Sequence, residues 1–166
     1  MKRIAPFALL LTILSCSGAI FSQQGVPPLA KEVEKVLEEK EPAWKIQRPY
    51  RQMSPPVMHL KSVSEGDVLI YFWLMDNEVD VKSVFDGQII SLGNTLGDRK
   101  KESKLPNLGD DNRLISDRSG RFAHLVFYKG KTLINIAAPT DMIAKRFAKH
   151  VAQRVAPIKE AAESGK

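Results

Sequence analysis

The side chains best suited to chemistry are few. Asp110, Asp111, Asn112 and Asp117 gather in and after the stretch Leu105-Pro106-Asn107-Leu108-Gly109. Calcium wants several oxygen ligands, but here the glycine precedes the acids and no glutamate closes the loop, so the EF-hand order is not met. A Gly-Asp turn whose carboxylates cap backbone amides accounts for the same residues more simply. No two of His59, His124 and His150 have metal-ligand spacing. His124 falls in a strand pattern with Phe122 and Val126 on the same side of the pleat, and His150 follows Lys149 on a helix. A structural or solvated role is the expectation for each histidine. The catalytic alternative is a small hydrolase assembled from distant residues, in which Asp110 or Asp111 meets His124 or His150.

The chain has no Gly-x-Ser-x-Gly elbow, no phosphate loop and no Gly-x-Gly-x-x-Gly turn. The sequence therefore assigns no catalytic residue, no metal and no cofactor. Trp44, Arg48, Tyr50 and Arg51 form an aromatic and basic group suited to engaging a partner. With Asp110 and Asp111 they are the candidate ligand- or partner-binding residues, against the alternative of an ordinary edge strand.

The elements that must position these groups follow from periodicity. Leu29, Val33, Val36 and Leu37 make one face of a helix that Pro42 ends. Trp44, Ile46 and Tyr50 alternate with polar residues, and Pro49, Pro55 and Pro56 confine this stretch to a sheet edge. Val57–Val63 and Val68–Met75 read as a hairpin around Ser64-Glu65-Gly66-Asp67. The second strand is apolar throughout, which predicts a central strand covered on both faces, with Tyr71, Phe72 and Trp73 in the core. A helix is expected over 79–90 and a polar loop over 93–112. Strands follow at 113–117, 121–128 and 131–138. Thr140 then caps a helix with Ile143, Phe147, Val151 and Val155 on one stripe and alanines beside it. The fold class is α+β: an antiparallel sheet of about five strands with helices packed on one face, a two-layer sandwich.

The first residues point to export. Lys2 and Arg3 precede an apolar run of 11 residues, Ile4 to Leu14, too short for a membrane span of about 20 and suited to a signal peptide. Cleavage after Ala19 or Ser22 would release a periplasmic or secreted chain. The alternative is Cys16, which ends a lipobox-like Ile13-Leu14-Ser15-Cys16 and is the lipidation candidate for a membrane-anchored lipoprotein. The expected organisation is signal peptide 1–22, extended lead 23–28, a single domain 29–157 and a tail 158–166. Without Lys2 and Arg3 the net charge drops from +6 to +4, and the basic residues are mixed with acidic ones, which argues against nucleic acid as a partner. A membrane is expected as a partner only if Cys16 carries lipid. Cys16 is the sole cysteine, so no internal disulfide is available.

The second half resembles small exported bacterial domains, namely certain actinobacterial lipoproteins and receptor-kinase external sensor domains. These have a "GLGD" loop, a hairpin around a glycine turn and an Ala-rich terminal helix. The matching residues are Leu105 to Asp110, Phe122 to Ala138 around Gly130, and Ile143 to Val155. The chain differs in having Asn107 at the second glycine position, Asp111-Asn112 for Glu-Ala, and no paired cysteines. The resemblance implies an exported α+β fold and transfers no binding residue. The function expected is a non-enzymatic exported domain that binds a ligand or protein partner. The alternatives are the hydrolase above and a lipid-anchored structural protein of the envelope.

Overall fold

A computed structural model describes residues 28–51 and 55–155. The signal segment with Cys16 and the tail 158–166 lie outside the described residues, as do the side chains of Arg48, Tyr50 and Arg51. The elements run α1 (Pro28–Lys40), β1 (Lys45–Arg51), β2 (Val57–Ser62), β3 (Gly66–Leu74), α2 (Glu78–Leu96), a single 3-10 turn (Gly97–Arg99), β4 (Lys100–Ser103), β5 (Asp111–Asp117), β6 (Ala123–Lys129), β7 (Thr132–Ala138) and α3 (Asp141–Ala152). The strands form one antiparallel sheet in the order β1-β2-β3-β7-β6-β5-β4.

The fold is α+β with an antiparallel sheet, and two details differ from expectation. The sheet has seven described strands rather than about five. The helices also occupy both faces. Period-2 alternation sends Val68, Ile70 and Phe72 of β3 into one core with α1 and α3. Trp73 and Met75 instead pack into a smaller cluster under α2, with Val126, Leu133, Val81 and Phe85. The reason is α2 itself, which is apolar around much of its circumference and settles on β5, β6 and β7. Its start is fixed by Asn77, whose side chain accepts a hydrogen bond from the Asp80 amide at 2.9 Å.

The α1/α3 face carries the main core. Ile143, Phe147 and Val151 are buried on α3, Val155 is buried just beyond its end, and Ala144 and Ala148 let that helix sit close to the sheet. Thr140 caps it, its hydroxyl accepting from the Ile143 amide at 3.3 Å. β3 is the third strand from one edge, but only Val68, Ile70 and Phe72 are fully buried. Tyr71 and Trp73 are half-buried and stacked at 5.9 Å, and Leu74 is 68% exposed. The expected double coverage of this strand is incomplete, because the main contacts of α2 are with β5, β6 and β7. β1 is an edge strand whose pairing with β2 is irregular between Gln47 and Arg51, the stretch that holds Pro49. β4 is the other edge, and its residues are Lys100, Lys101, Glu102 and Ser103. Among the described residues no helix is long and apolar enough to cross a membrane.

Candidate functional site

The loop between β4 and β5 uses its acids to hold itself together. Asp110 Oδ2 accepts from the Gly130 amide at 2.6 Å, while the Asp110 amide donates to the Tyr128 carbonyl at 2.8 Å. The loop is thus strapped to the β6–β7 turn. Gly109 makes the strap possible: its φ is +66°, and a Cβ there would collide with the Tyr128 carbonyl oxygen. Asp111 Oδ1 receives Lys104 Nζ at 2.7 Å, Arg113 Nη1 at 2.6 Å and the Asn112 amide at 2.7 Å. Burial alone would raise the Asp111 carboxyl, but these partners outweigh it and hold its pKa below the usual carboxylate value. Buried Asn112 closes the loop through the Leu105 amide and the Leu105 and Leu108 carbonyls. Among the described residues, no group of three or more histidine, cysteine or acidic side chains is arranged to hold a metal.

The three histidines lie apart. His59 Nε2 is 3.6 Å from Asp67, at the β2–β3 hairpin. His150 Nε2 is 3.3 Å from Glu41, a buried carboxylate at the end of α1. Arg146 joins that group: Nη2 donates to Glu65 at 2.9 Å, and Nε lies 2.9 Å from Glu41. The Nε–H does not point at the carboxylate, so the contact with Glu41 is an ion pair rather than a directed hydrogen bond. The cluster clasps α1, α3 and the β2–β3 turn together.

His124 lies on the α2 face of the sheet. Its Nδ1 is 2.9 Å from Asn135 Oδ1, an atom that only accepts, so Nδ1 carries the proton. Asn135 Nδ2 donates in turn to Gln88 of α2 at 3.1 Å. Burial pushes the His124 pKa down and outweighs the opposing effect of Asn135, which keeps the ring neutral. Phe122 meets His124 edge to face at 4.6 Å. Asn135 and Gln88 were not singled out from the sequence, although an asparagine inside the apolar strand Thr132–Ala138 was a readable signal.

The residues of the hydrolase alternative are not brought together. Asp111 is opposite Tyr128 and His124 is opposite Ile115, an offset of four residues along the sheet. At roughly 3.3 Å per residue that separates them by about 13 Å, beyond any direct or single-water proton transfer. His150 is engaged with Glu41 on the opposite face.

The binding candidate Trp44 stands at the junction of α1 and β1. The Glu41 amide donates to the Leu37 carbonyl at 2.8 Å and the Trp44 amide to the Glu41 carbonyl at 2.9 Å, which turns the chain tightly into β1. The indole is only 3% exposed and meets Phe147 edge to face at 5.1 Å. Beside it is a surface recess of about 510 Å³ lined by Glu38, Pro42, Trp44, Lys45 and Ile46. The volume falls within the range of small-molecule sites. Trp44 Nε1 is sealed from solvent and finds no acceptor among the described residues. A buried unpaired donor costs about 1–3 kcal/mol.

No family model matches this chain, and neither does any curated protein. Among solved structures, the chain is similar to a GTP-binding regulator from Thermotoga maritima, at 17% identity over 77% of this chain and 90% of that one, with a TM-score of 0.47.

Proposed function

We propose that this chain is an exported, non-enzymatic domain that binds a ligand or a segment of a protein partner in the recess beside Trp44. The observation that carries the reading is that recess, with Trp44 in its wall and apolar and charged side chains around it. The walls suit an amphipathic ligand: Pro42, Trp44 and Ile46 offer apolar surface, while Glu38 and Lys45 set opposite charges at the rim. Export rests on the positively charged start and short apolar run of the first residues.

The binding half is tested by tryptophan fluorescence. The chain has two tryptophans, so Trp73→Phe leaves Trp44 as the sole reporter. Extracts of the native host, fractionated by size, should shift its emission, and Trp44→Phe should abolish retention of the active fraction while the protein stays folded. Unchanged retention would reject the recess. The export half is tested by intact mass of the protein from its host. A soluble chain starting near Gln23 supports a free periplasmic or secreted domain, a membrane-bound chain starting at an acylated Cys16 supports a lipoprotein, and an unprocessed cytoplasmic chain rejects export.

A further inference from the structure

β1 ends the sheet on the side of the recess. Among the described residues it pairs with β2 alone, so one flank of its backbone has no strand partner. The pairing fixes which groups lie on that flank. The Phe72 amide donates to the Pro56 carbonyl at 3.2 Å, one step beyond the pair Val57 and Tyr71. Backbone groups point to alternate sides along a strand. Those of Met58 and Leu60 therefore face β3, and those of His59 and Lys61 face β1. Gln47 and Lys45, directly opposite, turn theirs back towards β2. Ile46, between them, turns both its N–H and its carbonyl to the open flank. The Ile46 side chain packs against the main core and also lines the recess, with Trp44, Pro42 and Glu38. An unpaired stretch of backbone and a recess with apolar walls thus meet at one residue.

We propose that the ligand of the recess is an extended peptide segment, added antiparallel to β1 as a further strand of the sheet. This rests on the reading of the recess as a binding site and names the class of its ligand. The peptide residue opposite Ile46 exchanges both backbone hydrogen bonds with it. Directly opposite residues carry their side chains on the same face, so the side chain of that peptide residue enters the recess. Pro42, Trp44 and Ile46 favour an apolar group there. The peptide residues on either side project away from the recess. Recognition is thus by backbone first and by one side chain second. The contact is short, because regular pairing of β1 ends at Gln47 and Pro49 beyond it has no amide hydrogen. A brief segment fits this edge, and a long added strand does not.

The test is amide hydrogen exchange, read by NMR on the protein purified from its host, with short random peptides selected from a phage library as the probe. In the free protein the Ile46 amide should exchange faster than those of Lys45 and Gln47, which β2 protects. Selected peptides should shift the emission of Trp44 in the Trp73→Phe variant and slow exchange at Ile46 at least about tenfold. Methylating the peptide nitrogens one at a time should weaken binding at least about tenfold at the residue opposite Ile46, a loss of about 1.4 kcal/mol. At either neighbour, whose N–H points away from β1, the loss should stay below about threefold. An Ile46 amide already slow in the free protein would overturn the proposal, since another part of the chain or a second copy then holds the flank. Peptides that move Trp44 emission but leave Ile46 exchange unchanged would overturn strand addition while the recess stands as a binding site. A library that yields no peptide acting on Trp44 would overturn the proposal as well. Failure of the recess itself shows separately, as retention of the extract fraction indifferent to Trp44→Phe.

Discussion

Against α1 and α3 the sheet presents Leu60, Ile70, Leu125 and Ile136, each 1% exposed or less, whereas on the α2 face only Ile115, Val126 and Leu133 of the described strands are apolar and buried as completely. The second face adds half-buried Trp73, Met75 and Tyr128, and a polar chain from His124 through Asn135 to Gln88. On the first face, buried apolar area does the holding, at about 25 cal/mol per Å². On the second, a few anchors and a hydrogen-bonded relay fix where α2 lies. Stability and placement are therefore divided between the two faces, and substitutions should separate them.

The largest expected effect is on the first face. Phe147→Ala should cost about 4–5 kcal/mol in urea unfolding, because Phe147 is fully buried and supports Trp44. Phe85→Ala under α2 should cost about 3 kcal/mol, since its partly exposed neighbours can close into the space. Equal losses would break the contrast. Asn135→Ala comes next, at about 1–3 kcal/mol, because it strips partners from both His124 and Gln88.

Acid should erode the second face in particular. The folded state lowers the His124 pKa, so the unfolded chain takes up the proton more readily. Stability is then full above about pH 6.5 and declines as pH falls through the interval between that value and the lowered one, by at most about 1.4 kcal/mol per pH unit for one proton. Unfolding measured between pH 7.5 and 5.5 should show this slope, and His124→Gln should flatten it. The smallest effect is a gain: Gly87→Ala should stabilise the monomer by about 0.5–1 kcal/mol, visible in the urea midpoint.

Much of the first face was legible in the sequence, because its signals are local. The 3.6-residue stripe of α3, its Thr140 cap and the hairpin glycines each act within a few residues, and the structure places these elements where the pattern does. The second face was less so. The helix expected over 79–90 runs to Leu96, since Gly87 lowers helix propensity without breaking a helix that docks through Val81 and Phe85. β4 falls in the stretch whose pattern is that of a polar loop, because Lys-Lys-Glu-Ser has no apolar alternation and becomes a strand only through the open edge of β5. Strand order is likewise a product of long-range pairing. At the candidate site, Trp44 was named from its type and neighbours, whereas its recess depends on how α1 turns into β1. The link from His124 to Gln88 joins residues 36 positions apart through Asn135, and no local pattern encodes it.

The two outer strands have a consequence for how the protein behaves in a crowd. A sheet's last strand offers unpaired amides and carbonyls on which a stray chain can grow. Here one rim carries Pro49 and a disrupted register, and the other carries Lys100, Lys101 and Glu102. Proline withholds a donor, and the charges penalise stacking of like rims. At high concentration the molecule should stay clear of fibrils, and any assembly it forms should be finite and reversible.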